Sequence, residues 1–275
     1  MVTKRQIAFN VVKEIFAWLL SLVVIIPFAV IVFNSLKTSQ EALNMSLALP
    51  NQLHWENFAE VWNVGNIARS YWNSLVVSVI PVTISVLFAS MCAYVLVRHK
   101  TRFNRAVYIY FALGLMFPVS MVTVVKVTRM FHLYNSQWGV ILIFGALILP
   151  LSVFLYYGFI GSVPKEMDEA AVVDGAGTLR IFFQVIFPML KPVTITVIMI
   201  NFLNCWNDFT VPLYLLPDPD KAVVVQQVYN FYGTFTASWN LVSVTILYAI
   251  LPVLVVYILG QRYIISGMVA GAVKG

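Results

Sequence analysis

Six stretches of this 275-residue chain are long, apolar and free of charge: Ile15 to Phe33, Ser74 to Val97, Ala106 to Val125, Trp138 to Ile160, Pro192 to Asn207 and Ala222 to Gln261. No other feature restricts the fold as strongly. A helix of about 20 apolar residues crosses the hydrocarbon core of a bilayer. Hydrocarbon offers no partner to an unpaired N–H or C=O, so only helices and closed barrels are stable there. The ten-residue alternation of a membrane barrel is absent. The runs therefore predict an all-α polytopic membrane protein with six transmembrane helices. Charge agrees, since 10% of the residues are Asp, Glu, Lys or Arg, against roughly 25% in soluble domains. A disordered chain is excluded. So is a disulfide scaffold, because Cys92 and Cys205 both lie inside apolar runs. The first run follows Lys4, Arg5 and Lys13 as a signal peptide would. It has the length of a span, however, and no small-residue cleavage site close behind it, so a retained helix is expected.

Six spans put both termini on one side, and basic residues show which. With the N-terminus inside, only Lys37, Arg69, Lys126, Arg129 and Lys221 fall outside, which leaves twelve of the 17 basic residues in the cytoplasm. Positive charge concentrates on cytoplasmic loops, so N and C termini are both expected in the cytoplasm. The net charge of +6 is accounted for by topology, and no nucleic-acid partner is required. Arg98 to Arg105 reads as a plain anchor on lipid headgroups.

The information is concentrated in the loop between the fourth and fifth runs, Ser162 to Pro192. Pro164 suits the first turn of a helix, and Glu166, Asp168 and Glu169 favour the positive end of its dipole. Met167, Ala170, Ala171 and Asp174 share one narrow face of small and apolar side chains, which would let another surface approach closely. Gly175 falls where the periodicity stops, as expected of a left-handed residue closing a helix. A second helix begins near Thr178, with Leu179, Phe182, Phe183 and Ile186 as its apolar stripe and Arg180 and Gln184 on a different face, until Pro188 bends the chain. The same pattern would serve a passive amphipathic connector.

Two further groups stand out. Asn201, Asn204 and Asp208 form a polar stripe at i, i+3, i+7 on the fifth run, with Trp206 and Asn207 beside it. Such a stripe must face the bundle or water, either as a path for a hydroxylated substrate or as hydrogen-bonding glue between spans. Tyr229, Phe231, Tyr232, Phe235 and Trp239 crowd the third outer loop, as a docking surface or as an interfacial aromatic belt. The tail, 260–275, is too short and glycine-rich to be a stable helix on its own.

Glu169-Ala170-Ala171, three residues, Gly175, and then Val185-Ile186-Phe187-Pro188 resemble the EAA loop of ABC importer permeases. With Asn73-Ser74-Leu75, Trp206-Asn207-Asp208-Phe209, Gln261-Arg262-Tyr263 and the closing Ala270-Gly271-Ala272-Val273-Lys274-Gly275, nearly the whole chain is similar to the carbohydrate-uptake permeases. The resemblance implies the type I ABC importer permease fold. It implies one transmembrane domain over residues 1–275, with a coupling loop at 162–188 and a cytoplasmic tail at 260–275. It also implies a bacterial cell membrane location, a second permease subunit, an ATPase dimer and an extracytoplasmic solute-binding protein. Met167, Glu169, Ala170, Ala171, Asp174 and Gly175 would couple to the ATPase. Asn201, Asn204, Asn207 and Asp208 would line the path, Tyr229, Phe231 and Tyr232 would meet the binding protein, and Gly271 and Lys274 lie in a tail that would reach the ATPase subunits. The chain has no phosphate-holding G-x-x-x-x-G-K-[ST] loop, so ATP and Mg would sit on the partner ATPase, and this chain is expected to bind no cofactor and to be no enzyme.

Two other classes compete. An ion-coupled or facilitative carrier would keep ionisable groups near the midplane, where only Asp208 comes close. An intramembrane metalloenzyme needs clustered ligands, whereas His54, His99 and His132 are scattered over loops. An oligosaccharide, a polyol and a glycerol phosphate all remain open as substrate.

Overall fold

The structure, a computed structural model, describes the backbone of residues 4–232 and 238–272. In chain order the helices are α1 (Lys4–Ser35), α2 (Glu56–Val64), α3 (Ile67–Arg98), α4 (Arg102–Gly114), α5 (Met121–Met130), α6 (Gln137–Ile160) and α7 (Glu166–Val173). There follow α8 (Thr178–Arg180), a π-helical turn over Ile181–Ile186, α9 (Phe187–Met189), α10 (Lys191–Asn207), α11 (Thr210–Leu215) and α12 (Trp239–Ala272). Packing divides the chain into two compact units, Met1–Ala68 with Gln227–Ile250 and Arg69–Gln226 with Leu251–Gly275.

Among the described residues four helical stretches are long and apolar enough to cross a membrane: Lys13–Ser35, Ile67–Arg98, Gln137–Ile160 and Trp239–Gln261. A fifth candidate is a broken one, Thr178–Met189 followed by Lys191–Asn207, bent by 77°. Six continuous spans are not confirmed: the fifth run counts only as part of the bent pair, and the third is interrupted. Expected as one helix over Ala106 to Val125, it forms α4 and α5 with non-helical residues between Gly114 and Met121. Pro118 lacks an N–H and drives Phe117 out of the helical region. At about 1.5 Å per residue, the 13 residues of α4 reach only about two-thirds of the way across the roughly 30 Å of hydrocarbon. Gly114 also sits where α4 crosses α6, since a Cβ there would lie 3.2 Å from Pro150 Cγ.

The first unit is organised by a buried cation. Lys37 is 2% exposed, and its ammonium donates to Asn34 Oδ1 (3.1 Å), the Ser46 carbonyl (2.9 Å) and Ser46 Oγ (3.2 Å). These neutral oxygens replace the water it has lost. Asn57 Nδ2 donates to the carbonyls of Ser35 and Lys37, both at 2.9 Å, and its own Oδ1 accepts from Asn240 Nδ2 at 3.2 Å. Thus α2, the end of α1 and the start of α12 are tied through one asparagine. Apolar side chains of α1 such as Trp18 and Val23 are exposed, as suits a helix solvated by lipid.

The second unit holds a polar knot inside three apolar helices. Ser152 of α6 accepts from Ser85 of α3 (2.8 Å) and from Asn201 of α10 (2.7 Å), and donates to the Ile148 carbonyl at 2.8 Å. Tyr156 donates to Thr194 Oγ1 at 3.0 Å, adding a second α6 to α10 tie. At the opposite end from the 162–188 loop, Asn73 Nδ2 donates to the carbonyls of Asp220 and Ala222, and Ser74 Oγ accepts from the Val224 N–H at 2.9 Å. The Asn-Ser pair that opens the second apolar run thereby pins the segment leading to α12.

The tail departs from expectation. α12 continues without a break to Ala272, because a helix already nucleated by a span extends at little further cost. Gly271 lies in its last turn, and Lys274 lies outside the described residues. Since Ser152 carries three hydrogen bonds and Ser85 one donor bond to it, Ser152→Ala is expected to destabilise the protein by about 1–2 kcal/mol and Ser85→Ala by less. Unfolding midpoints in detergent will show the ordering.

Candidate functional site

The loop after α6 is built from three backbone devices. α7 has eight residues, with Glu166, Asp168 and Glu169 in its first turn. It ends in a double hydrogen bond in which the Ala176 N–H reaches the Ala171 carbonyl and the Gly175 N–H reaches the Val172 carbonyl, both at 3.0 Å. This is the Schellman closure, and it places Gly175 at φ +77°, a conformation that penalises any Cβ. No atom lies within 4 Å of where that Cβ would stand, so the demand for glycine is conformational and not steric. The chain restarts as a helix at Thr178, widens into the π turn over Ile181–Ile186 and bends by 77° into α10.

α7 is held against the end of α3 by one ion pair. Arg98 Nη2 lies 2.7 Å from Asp168 Oδ2, with the two side chains 9% and 17% exposed. Tyr94 donates to Asp168 Oδ1 at 2.5 Å, and Arg98 Nη1 donates to the Val163 carbonyl at 3.1 Å. Arg98 was expected on lipid headgroups. It turns inward instead, because the half-buried Asp168 carboxylate and the Val163 carbonyl offer it bonds that water would otherwise supply. Asp168, expected only to favour a helix dipole, is its partner.

That clamp rotates α7. Ala171 is buried at 8% exposure, facing the chain on the side of Asp168, so it does not belong to the free face on which the periodicity placed it. Met167, Glu169, Ala170, Asp174 and Gly175 are exposed, and Val173 is 86% exposed. Sequence reasoning passed over Val173 and its exposed neighbour Val172, whose signal is apolar bulk left on a short charged helix. The stripe of the second helix also shifts. Ile181, Phe182 and Ile186 are buried, whereas Leu179 and Phe183 are exposed, since a π turn brings i and i+5 to one face. Arg180 Nε donates to Gln184 Oε1 at 2.8 Å, so those two do share a side.

The residues of the polar stripe on α10 differ in burial. Asn201 is buried, and its Nδ2 donates to Ser152 Oγ at 2.7 Å. Asn204 and Asn207 are exposed. Asp208, past the end of α10, accepts from the Val211 N–H at 2.8 Å and starts α11. Asn201, Asn204, Cys205 and Asp208 line a cavity of about 140 Å³ with Phe144, Leu147, Ile148 and Leu151. That is less than half the roughly 300 Å³ at which ligand pockets begin. Trp206 offers no open ring, being buried against Phe202 and Tyr71. In the third loop Tyr229 and Tyr232 are exposed, but Phe231 is 7% exposed. Its carbonyl accepts from the Ser238 N–H. Phe235 lies outside the described residues. Among the described residues no group of three His, Cys, Asp or Glu side chains could hold a metal ion.

The family model of the inner membrane component of binding-protein-dependent transport systems matches residues 85–268. Relatives include the probable starch degradation products transport system permease protein AmyC of Thermoanaerobacterium thermosulfurigenes, 33% identical with 93% of each chain covered. The melibiose/raffinose/stachyose import permease protein MelC of Bacillus subtilis is 34% identical over 91% of each chain. The diacetylchitobiose uptake system permease protein NgcG of Streptomyces coelicolor is 35% identical over 92% of this chain and 85% of its own. Among solved structures, a bacterial ABC transporter involved in the import of the acidic polysaccharide alginate shares the fold, with a TM-score of 0.82 and 22% identity over 96% of this chain and 99% of that one.

The clamp predicts a thermodynamic coupling. Arg98→Gln or Asp168→Asn alone leaves a charge without its partner, which costs about 3–5 kcal/mol where the pair is buried. The double variant is expected to recover about 0.5–3 kcal/mol of the sum, read as the rate of proteolytic cleavage within 162–188.

Proposed function

This chain belongs to the family of inner membrane components of binding-protein-dependent transport systems, and we propose that the cargo of its system is a carbohydrate, an oligosaccharide before a polyol or glycerol phosphate. The observation that carries the substrate class is the company of relatives at 33 to 35% identity, whose names specify starch degradation products, raffinose-type sugars and diacetylchitobiose. Uptake of a labelled oligosaccharide by vesicles holding the complete importer tests it. Loss of maltodextrin-class uptake in favour of an amino acid or peptide would overturn it.

In this reading the termini and the 162–188 loop are cytoplasmic, and a second permease subunit, an ATPase dimer binding ATP and Mg, and an extracytoplasmic solute-binding protein complete the complex. The exposed face of α7, with Glu169, Ala170 and Asp174 flanked by Met167, meets the ATPase. Ala171 supports that face from behind, and Gly175 sets the angle at which the push leaves it. Asn204, Asn207 and Asp208 border the path, to which the small cavity is one wall and the second permease the other, while Asn201 holds that wall in place. Tyr229 and Tyr232 meet the binding protein. The end of α12, carrying Gly271 and followed by Lys274, reaches the ATPase subunits.

Expected outcomes separate these roles. Asn204→Ala and Asp208→Ala lower uptake while the complex still assembles, whereas Asn201→Ala lowers assembly. At Gly175 a β-branched residue disfavours the left-handed turn by about 1–2 kcal/mol, a 5- to 30-fold shift. Gly175→Val is therefore expected to lower uptake per ATP hydrolysed with the ATPase retained. Ala171→Trp acts through this chain's own packing and should loosen the loop before it blocks any partner. Copurified ATPase, phosphate release and uptake, measured together, decide each case.

A further inference from the structure

A groove of about 430 Å³ opens beside the coupling loop, where α3 and α6 both end. Val97, Arg98, Lys100, Tyr157, Gly161 and Ser162 line one part of it, and Val163, Pro164, Lys165 and Glu166 the rest. α3 and α6 are both among the apolar helices long enough to span a bilayer, so the place where they give way to polar loop marks headgroup depth. Tyr157 supports that level. Its ring packs on Tyr108 at 4.2 Å, and tyrosines gather at the membrane interface.

The lining carries three cations and, among the lining residues, one carboxylate, Glu166. Arg98 is committed to Asp168 and forms a fixed wall. Lys100 and Lys165 are exposed, and neither lies within ion-pair distance of a carboxylate among the described pairs. Lys165 precedes the first residue of α7, whose terminus adds the positive end of a helix dipole. A floor of Val97, Tyr157 and Pro164 under two lysines suits an amphiphile with a phosphate head better than a free ion.

We propose that this groove holds the phosphate of an anionic phospholipid, with Lys100 and Lys165 as the contacting cations. The proposal rests on the chain spanning a membrane and not on the cargo of the importer. A bound headgroup would sit against Arg98 and the first turn of α7, one residue pair away from the clamp on Asp168. Membrane composition would then bias how firmly the coupling helix is held, without any contact to the transported substrate.

The test uses the assembled importer in phosphatidylcholine vesicles doped with spin-labelled phosphatidylglycerol or spin-labelled phosphatidylcholine, reading the immobilised lipid fraction. Each cation near a membrane surface contributes roughly fivefold to the capture of anionic lipid. Lys100→Gln with Lys165→Gln is therefore expected to reduce the preference for phosphatidylglycerol about 20- to 30-fold. Lys100→Arg with Lys165→Arg should retain it, and Arg102→Gln with Arg105→Gln, in the first turn of α4 and outside the groove, should reduce it far less. An equal loss in both glutamine pairs would mean diffuse attraction and would overturn the site. Displacement by inorganic phosphate with no lipid preference would assign it to a free anion. A preference present in the permease pair alone and lost when the ATPase binds would assign the groove to that protein. Either result overturns the proposal as stated.

Discussion

The interaction on which the rest of the 162–188 loop depends is the Arg98 to Asp168 pair. Transferring a guanidinium and a carboxylate out of water is costly, and their attraction repays that cost only when the remaining donors and acceptors are also met. Here Tyr94 supplies the second carboxylate oxygen with a donor, and the Val163 carbonyl takes another guanidinium N–H. The pair therefore adds little to net stability but admits only one arrangement. It decides which face of α7 is turned inward. Every statement about what the loop presents to a partner follows from that rotation.

The bilayer imposes a second constraint of the same kind. Side chains that hydrogen-bond in water exchange one partner for another at little gain, whereas in hydrocarbon an unmet group has nowhere to turn. Ser85, Ser152 and Asn201 therefore meet at one hydroxyl, and the apolar surfaces around them pack without a comparable preference for any one alignment. Lys37 obeys the rule at the edge of the first unit, where three oxygens surround its ammonium. In both places few polar atoms define geometry that many apolar contacts leave open.

Much of this was legible in the residues because the signals were backbone signals. Apolar length gave α1, α3, α6 and α12, and the fall in periodicity at Gly175 anticipated a left-handed closure that the structure has at φ +77°. The Asn73-Ser74 pair enters only through the family resemblance, and its bonds to Asp220, Ala222 and Val224 depend on residues some 150 positions away and have no local trace. Four departures share a cause. Periodicity or charge alone places Ala171, Leu179, Phe183 and Arg98 on faces they do not occupy, because a contact or a change of helix type that periodicity does not contain moves each of them. The broken third run is different, because Pro118 was visible; a run without charge does not reveal whether its helix is continuous.

The π turn joins α7 to α10 across a sharp change of direction. An α-helix continued from Thr178 would carry its buried stripe at i, i+3 and i+4 and leave the direction of the chain nearly unchanged. Widening to a π turn adds one residue to the circuit, which is the device helices use where geometry must change within a single turn. It brings Ile181, Phe182 and Ile186 together on the buried side, and Phe182 packs on Tyr94 at 5.5 Å between ring centres. Tyr94 also donates to Asp168. The same tyrosine thus touches the ion-pair clamp on one side and the π turn on the other, so α7 and the turn that leads into α10 share a contact through α3. Displacing α7 must either break the clamp or carry Tyr94 and the turn with it, and the second route keeps the Arg98 to Asp168 pair and the Tyr94 hydrogen bond intact.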